Sequence, residues 1–210
     1  MEIIKSFIDI FIHLDHHLNA VIAAYGTWTY ALLFIIIFCE TGLVVTPFLP
    51  GDSLLFVLGA FAARGTLDPK ALWVLLGLAA IAGDAVNYFV GRKLAPKVFN
   101  NEKIPFLKQE YLDQTALFFE KYGKKTIILA RFVPIVRTFA PFLAGAGNMK
   151  YSIFASYNVL GGILWVSIGL GAGYLFGNIP FVEKHFSLVV LGIVVVSLVP
   201  AVLEFLKNKK

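Results

Sequence analysis

Residues 152–176 run for 25 positions without an Asp, Glu, Lys or Arg. As an α-helix such a run is about 38 Å long, enough to cross a hydrocarbon core of about 30 Å. Lipid offers the backbone no hydrogen bonds, so a segment like this must satisfy itself as a helix. Residues 186–203 form a second uncharged run of 18 positions, with the span reaching to about 206. Residues 71–90 are long and apolar enough to be a third, although they carry Asp84. The rest of the composition agrees. Only 15% of the chain is charged and 59% is apolar, against roughly 25% charged in a soluble domain. Disorder and an ordinary soluble domain are both excluded on that ground.

Two other apolar stretches do not read as simple spans. Residues 31–63 hold Glu40, then the breaker run Thr46-Pro47-Phe48-Leu49-Pro50-Gly51-Asp52, then a short apolar piece. That piece, residues 53–63, is about 16 Å long as a helix and cannot cross a bilayer alone. Residues 126–147 hold Arg131, Pro134, Arg137 and Pro141 and end in Ala144-Gly145-Ala146-Gly147. Broken, short and charged apolar pieces predict re-entrant hairpins buried in protein. Residues 19–39 are also uncharged and compete as a full span.

Between the hairpins lies a polar region, residues 91–125, with Arg92, Lys93, Lys97, Lys103, Lys108, Lys121, Lys124 and Lys125. Lys207, Lys209 and Lys210 close the tail. The positive-inside rule puts both in the cytoplasm. The net charge of +5 is then a matter of topology and lipid head groups, not of nucleic acid. Tracing outward from that loop, hairpin 31–63 enters from outside and hairpin 126–147 from inside. Within the loop Tyr111, Thr115, Phe118, Phe119 and Tyr122 recur at helical spacing, and Gly123 is a stop. At the start of the chain, residues 1–28 read as an amphipathic interfacial segment rather than a cleaved leader.

A shift of 86 residues superposes Gly59 on Gly145, Ala60 on Ala146, Leu78 on Leu164, Gly83 on Gly169, Tyr88 on Tyr174 and Gly91 on Gly177. Each half is then a hairpin followed by a span, in opposite orientation. The fold class expected is an all-α polytopic membrane protein, a single unit over residues 1–210, built as an inverted repeat.

Five charges fall inside apolar segments: Glu40, Asp52, Asp84, Arg131 and Arg137. Each costs about 2.5–3.5 kcal/mol at a helix centre on insertion scales, so they are expected to face a cavity or one another. The first hairpin carries the acids Glu40 and Asp52 and the second carries Arg131 and Arg137. If the tips meet, carboxylates oppose guanidiniums. Such a cluster reads either as fixed ion pairs or as a site for an anion. Arg keeps its charge when desolvated and offers a planar fork suited to phosphate. Burial favours a neutral acid and a neighbouring guanidinium favours a carboxylate, so an acid poised between the two can carry a proton.

Other motifs point to less. Cys39 reads as an inert buried thiol. His13, His16, His17 and Asp15 read as a solvated helix end, so no metal is expected. Gly169, Gly173 and Gly177 have the spacing of helix-packing small residues. With no nucleophile–base pair, zinc spacing or phosphate loop in view, no enzyme activity and no cofactor beyond a proton gradient are expected.

Phe38-Cys39-Glu40-Thr41-Gly42, Pro47-Phe48-Leu49-Pro50-Gly51-Asp52-Ser53, Gly83-Asp84 with Tyr88 and Gly91-Arg92, and Arg131-Phe132 with Pro134 and Arg137-Thr138 together resemble the DedA family, part of the SNARE-associated or VTT-domain superfamily. The resemblance implies a multi-pass protein of the bacterial inner membrane with two opposed re-entrant hairpins and a part in envelope maintenance. Some members are implicated in returning undecaprenyl phosphate to the cytoplasmic leaflet, others in moving phospholipids, and proton coupling has been proposed. The family's functional residues correspond to Glu40, Asp52, Arg131 and Arg137. The expected activity is therefore a flippase for an anionic phosphate lipid, with Arg131 and Arg137 on the phosphate, Glu40 and Asp52 as proton carriers or gates, and Asp84 in support. Alternatives are a proton-coupled ion or solute antiporter, a general phospholipid scramblase, and a scaffold whose charges are structural. A homo-oligomer is compatible with each.

Overall fold

The computed structural model describes residues 22, 24–43, 51–99, 109–186 and 188–193, and all of the regular structure among them is helical. The elements are α1 Trp28–Gly42, α2 Gly51–Ala63, α3 Pro69–Phe99, α4 Gln109–Tyr122, a 3-10 turn Gly123–Lys125, α5 Thr126–Leu129, a second 3-10 turn Ala130–Phe132, α6 Pro134–Ala146, α7 Tyr151–Phe176 and α8 Pro180–Lys184. Residues 188–193 are also helical. Most of the interfacial segment expected over 1–28, the core of the first breaker run (46–50) and most of the span expected over 186–206 lie outside the described residues.

Among the described residues two helices are long and apolar enough to cross a bilayer: Pro69–Pro96 of α3 and all of α7. The α3 helix extends beyond the span expected over 71–90. α3 continues through Arg92, Lys93 and Pro96 to Phe99. Arg92 and Lys93 are exposed, so the helix carries its charges past the apolar stretch, where they are solvated. Pro96 removes one hydrogen bond, to the carbonyl of Arg92, and the helix tolerates it close to its end.

The helices α2 and α6 each have 13 residues, about 20 Å, or two thirds of a hydrocarbon core. The first forms a hairpin with α1. Tyr30, at the start of α1, accepts a hydrogen bond from the Asp68 N–H beyond the end of α2 (2.7 Å). Glu40, at the end of α1, accepts one from the Gly51 N–H at the start of α2 (2.9 Å). The two helices therefore run antiparallel. In the second half the break is at Val133, whose backbone is extended (φ −124°, ψ 105°) immediately before Pro134 at the first position of α6. Proline disfavours the helical region for the residue ahead of it and fits the first helical position itself. α4 ends where the sequence places its stop, at Gly123, whose φ is +57°.

The two halves are exchanged across the molecule. α2 packs chiefly on α7, and α6 chiefly on α3. At the first contact Gly59 lies against the backbone of Leu170 and Tyr174; at the second, Gly145 lies against the backbone of Tyr88 and Arg92. A side chain at either glycine would strike main chain. The 86-residue shift carries Gly59 onto Gly145 and Tyr174 back onto Tyr88, so the two contacts are images of each other. The Gly169, Gly173 and Gly177 series packs as its spacing predicts, against Leu55, Phe56 and Ala60 of α2. The main core is the α1–α2–α3–α7 interior, with Leu33, Ile37, Leu55, Leu58, Leu72, Leu76 and Val166 fully or almost fully buried. A second cluster, with Tyr88, Ala140 and Phe154, seals α6 against α3 and α7.

Candidate functional site

The tips of the two hairpins meet halfway along the long helices. Asp84 stands fifteen residues from either end of α3. Around it gather Glu40 from the last turn of α1, Asp52 from the first turn of α2, Arg131 from the 3-10 turn, Arg137 from the first turn of α6, and Trp165 from the middle of α7. All five charges singled out in the sequence are thus brought together, and they sort into two constellations.

In the first, Arg131 Nη2 donates to Asp84 Oδ2 (2.5 Å) and to Asn158 Oδ1 (2.6 Å). Asn158 Nδ2 donates in turn to the Ile81 carbonyl (2.9 Å). The side chains of Arg131 and Asp84 are 5% and 6% exposed. Gly161 and Gly162 of α7 make room for the guanidinium.

In the second, Arg137 Nη2 donates to Glu40 Oε1 and Nη1 donates to Asp52 Oδ1 (3.4 Å). The guanidinium lies over the Trp165 ring, 5.4 Å from its centroid, a cation–π position. Trp165 Nε1–H also donates to Asp52 Oδ1 (2.7 Å). Glu40 accepts the Gly51 N–H as well, capping α2 with a carboxylate; a side chain at Gly51 would occupy the carboxylate's place. Asp52 is the most open member, its side chain 33% exposed.

Asn87 of α3 bridges the hairpins, its Nδ2 donating to the carbonyls of Thr138 (2.8 Å) and Thr41 (3.4 Å). Between the constellations lies a small cavity of about 10 Å³, lined by Glu40, Thr41, Asp84, Arg131, Arg137, Thr138 and Trp165. That is space for about one water and no more. Glu40 Oε2, Arg131 Nε and Asn87 Oδ1 are buried without a hydrogen-bond partner among the described residues. Three acids face two arginines, so the fully ionised cluster carries one net negative charge.

The pairing differs in one respect from simple opposition of the hairpins. Arg137 does meet both acids of the first hairpin, but Arg131 meets Asp84 on the span α3. Sequence reasoning missed Trp165, Asn158 and Asn87. Only the buried amides gave a signal, a polar side chain within an apolar span. The histidine group at 13–17 lies outside the described residues. Among the described residues no three His, Cys, Asp or Glu side chains are grouped as a metal ion would require.

The sequence pattern of the VTT domain matches residues 49–175, which take in α2 and reach almost to the end of α7. Protein DedA of Escherichia coli (strain K12) is 55% identical over 212 residues, covering 100% of this chain and 97% of that protein. An uncharacterized membrane protein of Mycobacterium leprae (strain TN) is 45% identical over 80% of this chain and 76% of its own length. The inner membrane protein YghB of Escherichia coli (strain K12) is 35% identical over 74% of this chain and 71% of its own length. No solved structure matches. With two helices able to span a bilayer, a buried charge cluster between them and these relatives, the chain belongs to the DedA family of VTT-domain membrane proteins.

Proposed function

We propose that this membrane protein carries an anionic phosphate lipid across the bacterial inner membrane, with undecaprenyl phosphate as the expected substrate and protons exchanged at Glu40 and Asp52. In this reading α1–α2 is a re-entrant hairpin entered from outside, α5–α6 is its inverted counterpart entered from the cytoplasm, and the basic loop and C-terminal tail are cytoplasmic. The observation that carries the reading is Arg137. Its guanidinium keeps its charge and has the forked donor geometry that suits phosphate; halfway along the long helices it is held by two carboxylates beside a cavity with room for about one water.

The mechanism follows from charge balance. A phosphate brought beside Glu40 and Asp52 meets a cluster that is already net negative. Protonation of either acid withdraws an acceptor from Arg137 and removes that repulsion, so proton uptake and phosphate binding favour each other. Asp52, the more open acid, is the one that solvent can reach. Arg131, held by Asp84 and Asn158, supplies a second positive charge without leaving its place. Return of the proton on the other side restores the Glu40–Arg137 pair and expels the phosphate.

Reconstitution into liposomes with a fluorescent polyprenyl phosphate tests this. Arg137→Ala is expected to lower translocation at least about tenfold, the worth of one charge-assisted hydrogen bond. Glu40→Gln is expected to abolish the response to an imposed pH gradient. Ion flux without lipid movement in the same vesicles would overturn the reading in favour of an antiporter.

A further inference from the structure

Glu40 Oε1 accepts two hydrogen bonds from the tips of both hairpins, one from the Gly51 N–H (2.9 Å) and one from Arg137 Nη2. We propose that this pair of donors is the seat for an oxygen of the substrate's phosphate, and that the Glu40 carboxylate is its resident stand-in. The inference rests on the preceding reading for the lipid that carries the phosphate. The chemistry it assigns to the seat is that of a phosphate oxyanion, whatever is attached to it.

Gly51 opens α2, a helix of 13 residues. The N–H groups of a first turn have no partner within their helix, and the aligned peptide dipoles place about half a positive charge there. Such an end receives carboxylate and phosphate alike. Three further observations point to an exchangeable anion. The carboxylate seated there is 1% exposed, and its second oxygen, Oε2, has no hydrogen-bond partner among the described residues. A Cβ at Gly51 would run into both carboxylate oxygens, so glycine is what lets an oxyanion touch the main chain. The free space alongside is only about 10 Å³. An incoming oxyanion is therefore accommodated in the volume that the carboxylate now fills.

The internal repeat explains the choice of donors. The 86-residue shift carries Gly51 onto Arg137. Equivalent positions of the two hairpins thus offer a backbone N–H and a guanidinium to one oxygen. α6 has no such backbone donor at its own start, because Pro134 lacks an N–H and the Arg137 N–H is bonded to the Val133 carbonyl (2.9 Å). Charge sets the competition. With Glu40 ionised the cluster is net negative. Without it Asp52 and Asp84 face Arg131 and Arg137, and the cluster is neutral.

The test is thermal unfolding of the full chain in detergent micelles, titrated with inorganic phosphate or with a polyprenyl phosphate at fixed ionic strength. Glu40→Ala vacates the seat. Inorganic phosphate is expected to stabilise this variant saturably and to bind it at least about tenfold more tightly than the parent chain, the worth of one charge-assisted hydrogen bond. Polyprenyl phosphate should saturate it at a lower concentration than the free ion. Adding Gly51→Ala or Arg137→Ala to Glu40→Ala should remove the gain. Glu40→Gln keeps the shape and loses the charge; it repeats the test if Glu40→Ala does not fold, with the gain expected at higher phosphate. No gain in either variant overturns the proposal, as does a gain that survives Gly51→Ala or Arg137→Ala. A gain for inorganic phosphate supports the seat even if liposomes show no lipid movement, a result that would overturn only the lipid reading. Saturation by the free ion at or below the concentration needed of polyprenyl phosphate would likewise support the seat and count against the lipid.

Discussion

Arg131 and Arg137 stand six residues apart, either side of Pro134, and the same apolar surroundings enclose both. Their partners make them different objects. Arg131 has one carboxylate and one amide, Asp84 and Asn158, on two spans that pack together. Arg137 has two carboxylates on the opposite hairpin and an indole face. The first set is nearly sealed, whereas the second ends in Asp52 at the open edge. An arginine tied to spanning helices fastens the hairpin. An arginine tied to the tip of another hairpin can be released only by moving or neutralising that tip. In the proposed transport cycle, the same side chain would anchor at one position and exchange at the other because of what surrounds it.

Four substitutions would break or sharpen this contrast. The largest effect is expected from Arg131→Ala, which strands Asp84 in the interior. Removing one partner of a buried pair costs about 3–5 kcal/mol, so thermal unfolding in detergent should show a severe loss. Arg137→Ala should be milder, about 1–3 kcal/mol, because Asp52 keeps the Trp165 donor and Glu40 keeps the Gly51 N–H. Its transport should nevertheless fall furthest per unit of stability lost. Equal melting losses in the two variants would dissolve the distinction. Trp165→Phe keeps a ring beneath Arg137 and removes only the N–H to Asp52. About 1–2 kcal/mol is expected, together with a displaced pH profile of translocation; an unmoved profile would make Trp165 a packing residue alone. Asp52→Asn should be the gentlest for stability, about 0.5–1 kcal/mol, since the site is partly open and an amide oxygen still accepts. Transport by this variant should respond less to pH than that of the parent chain, and a full response would remove Asp52 from proton exchange.

Much of this was legible in the chain before folding. Short apolar lengths and Pro134 marked the breaks, because 13 residues are too few to cross lipid as a helix and Pro134 holds Val133 in the extended region, although the helices run through Pro96 and Pro141. Gly123 marked the end of α4 because that position needs a left-handed backbone. The charge cluster was visible because ionised groups in hydrocarbon need partners. What escaped was uncharged. Trp165 and Asn158 lie inside an apolar run whose hydropathy is satisfied with or without them, and only the crossing of α7 with α2 and α3 gives them acceptors. The far end of α3 escaped for the opposite reason: Arg92, Lys93 and Pro96 look like a loop, while a helix already clear of lipid carries them easily. Which acid each arginine meets was also beyond the sequence, since it depends on how the hairpins are exchanged between halves.

The near-absence of free space beside Arg137 has a consequence for affinity. In the proposed function Glu40 and Asp52 are resident competitors, tethered where the incoming phosphate would sit. Apparent affinity for any substrate is its intrinsic affinity multiplied by the fraction of molecules in which the arginine is free. If that fraction is on the order of one in a hundred, the dissociation constant rises about a hundredfold. On the proposed function, such a site trades tight capture for ready discharge, and its strongest inhibitor would be an anion that arrives with its own proton.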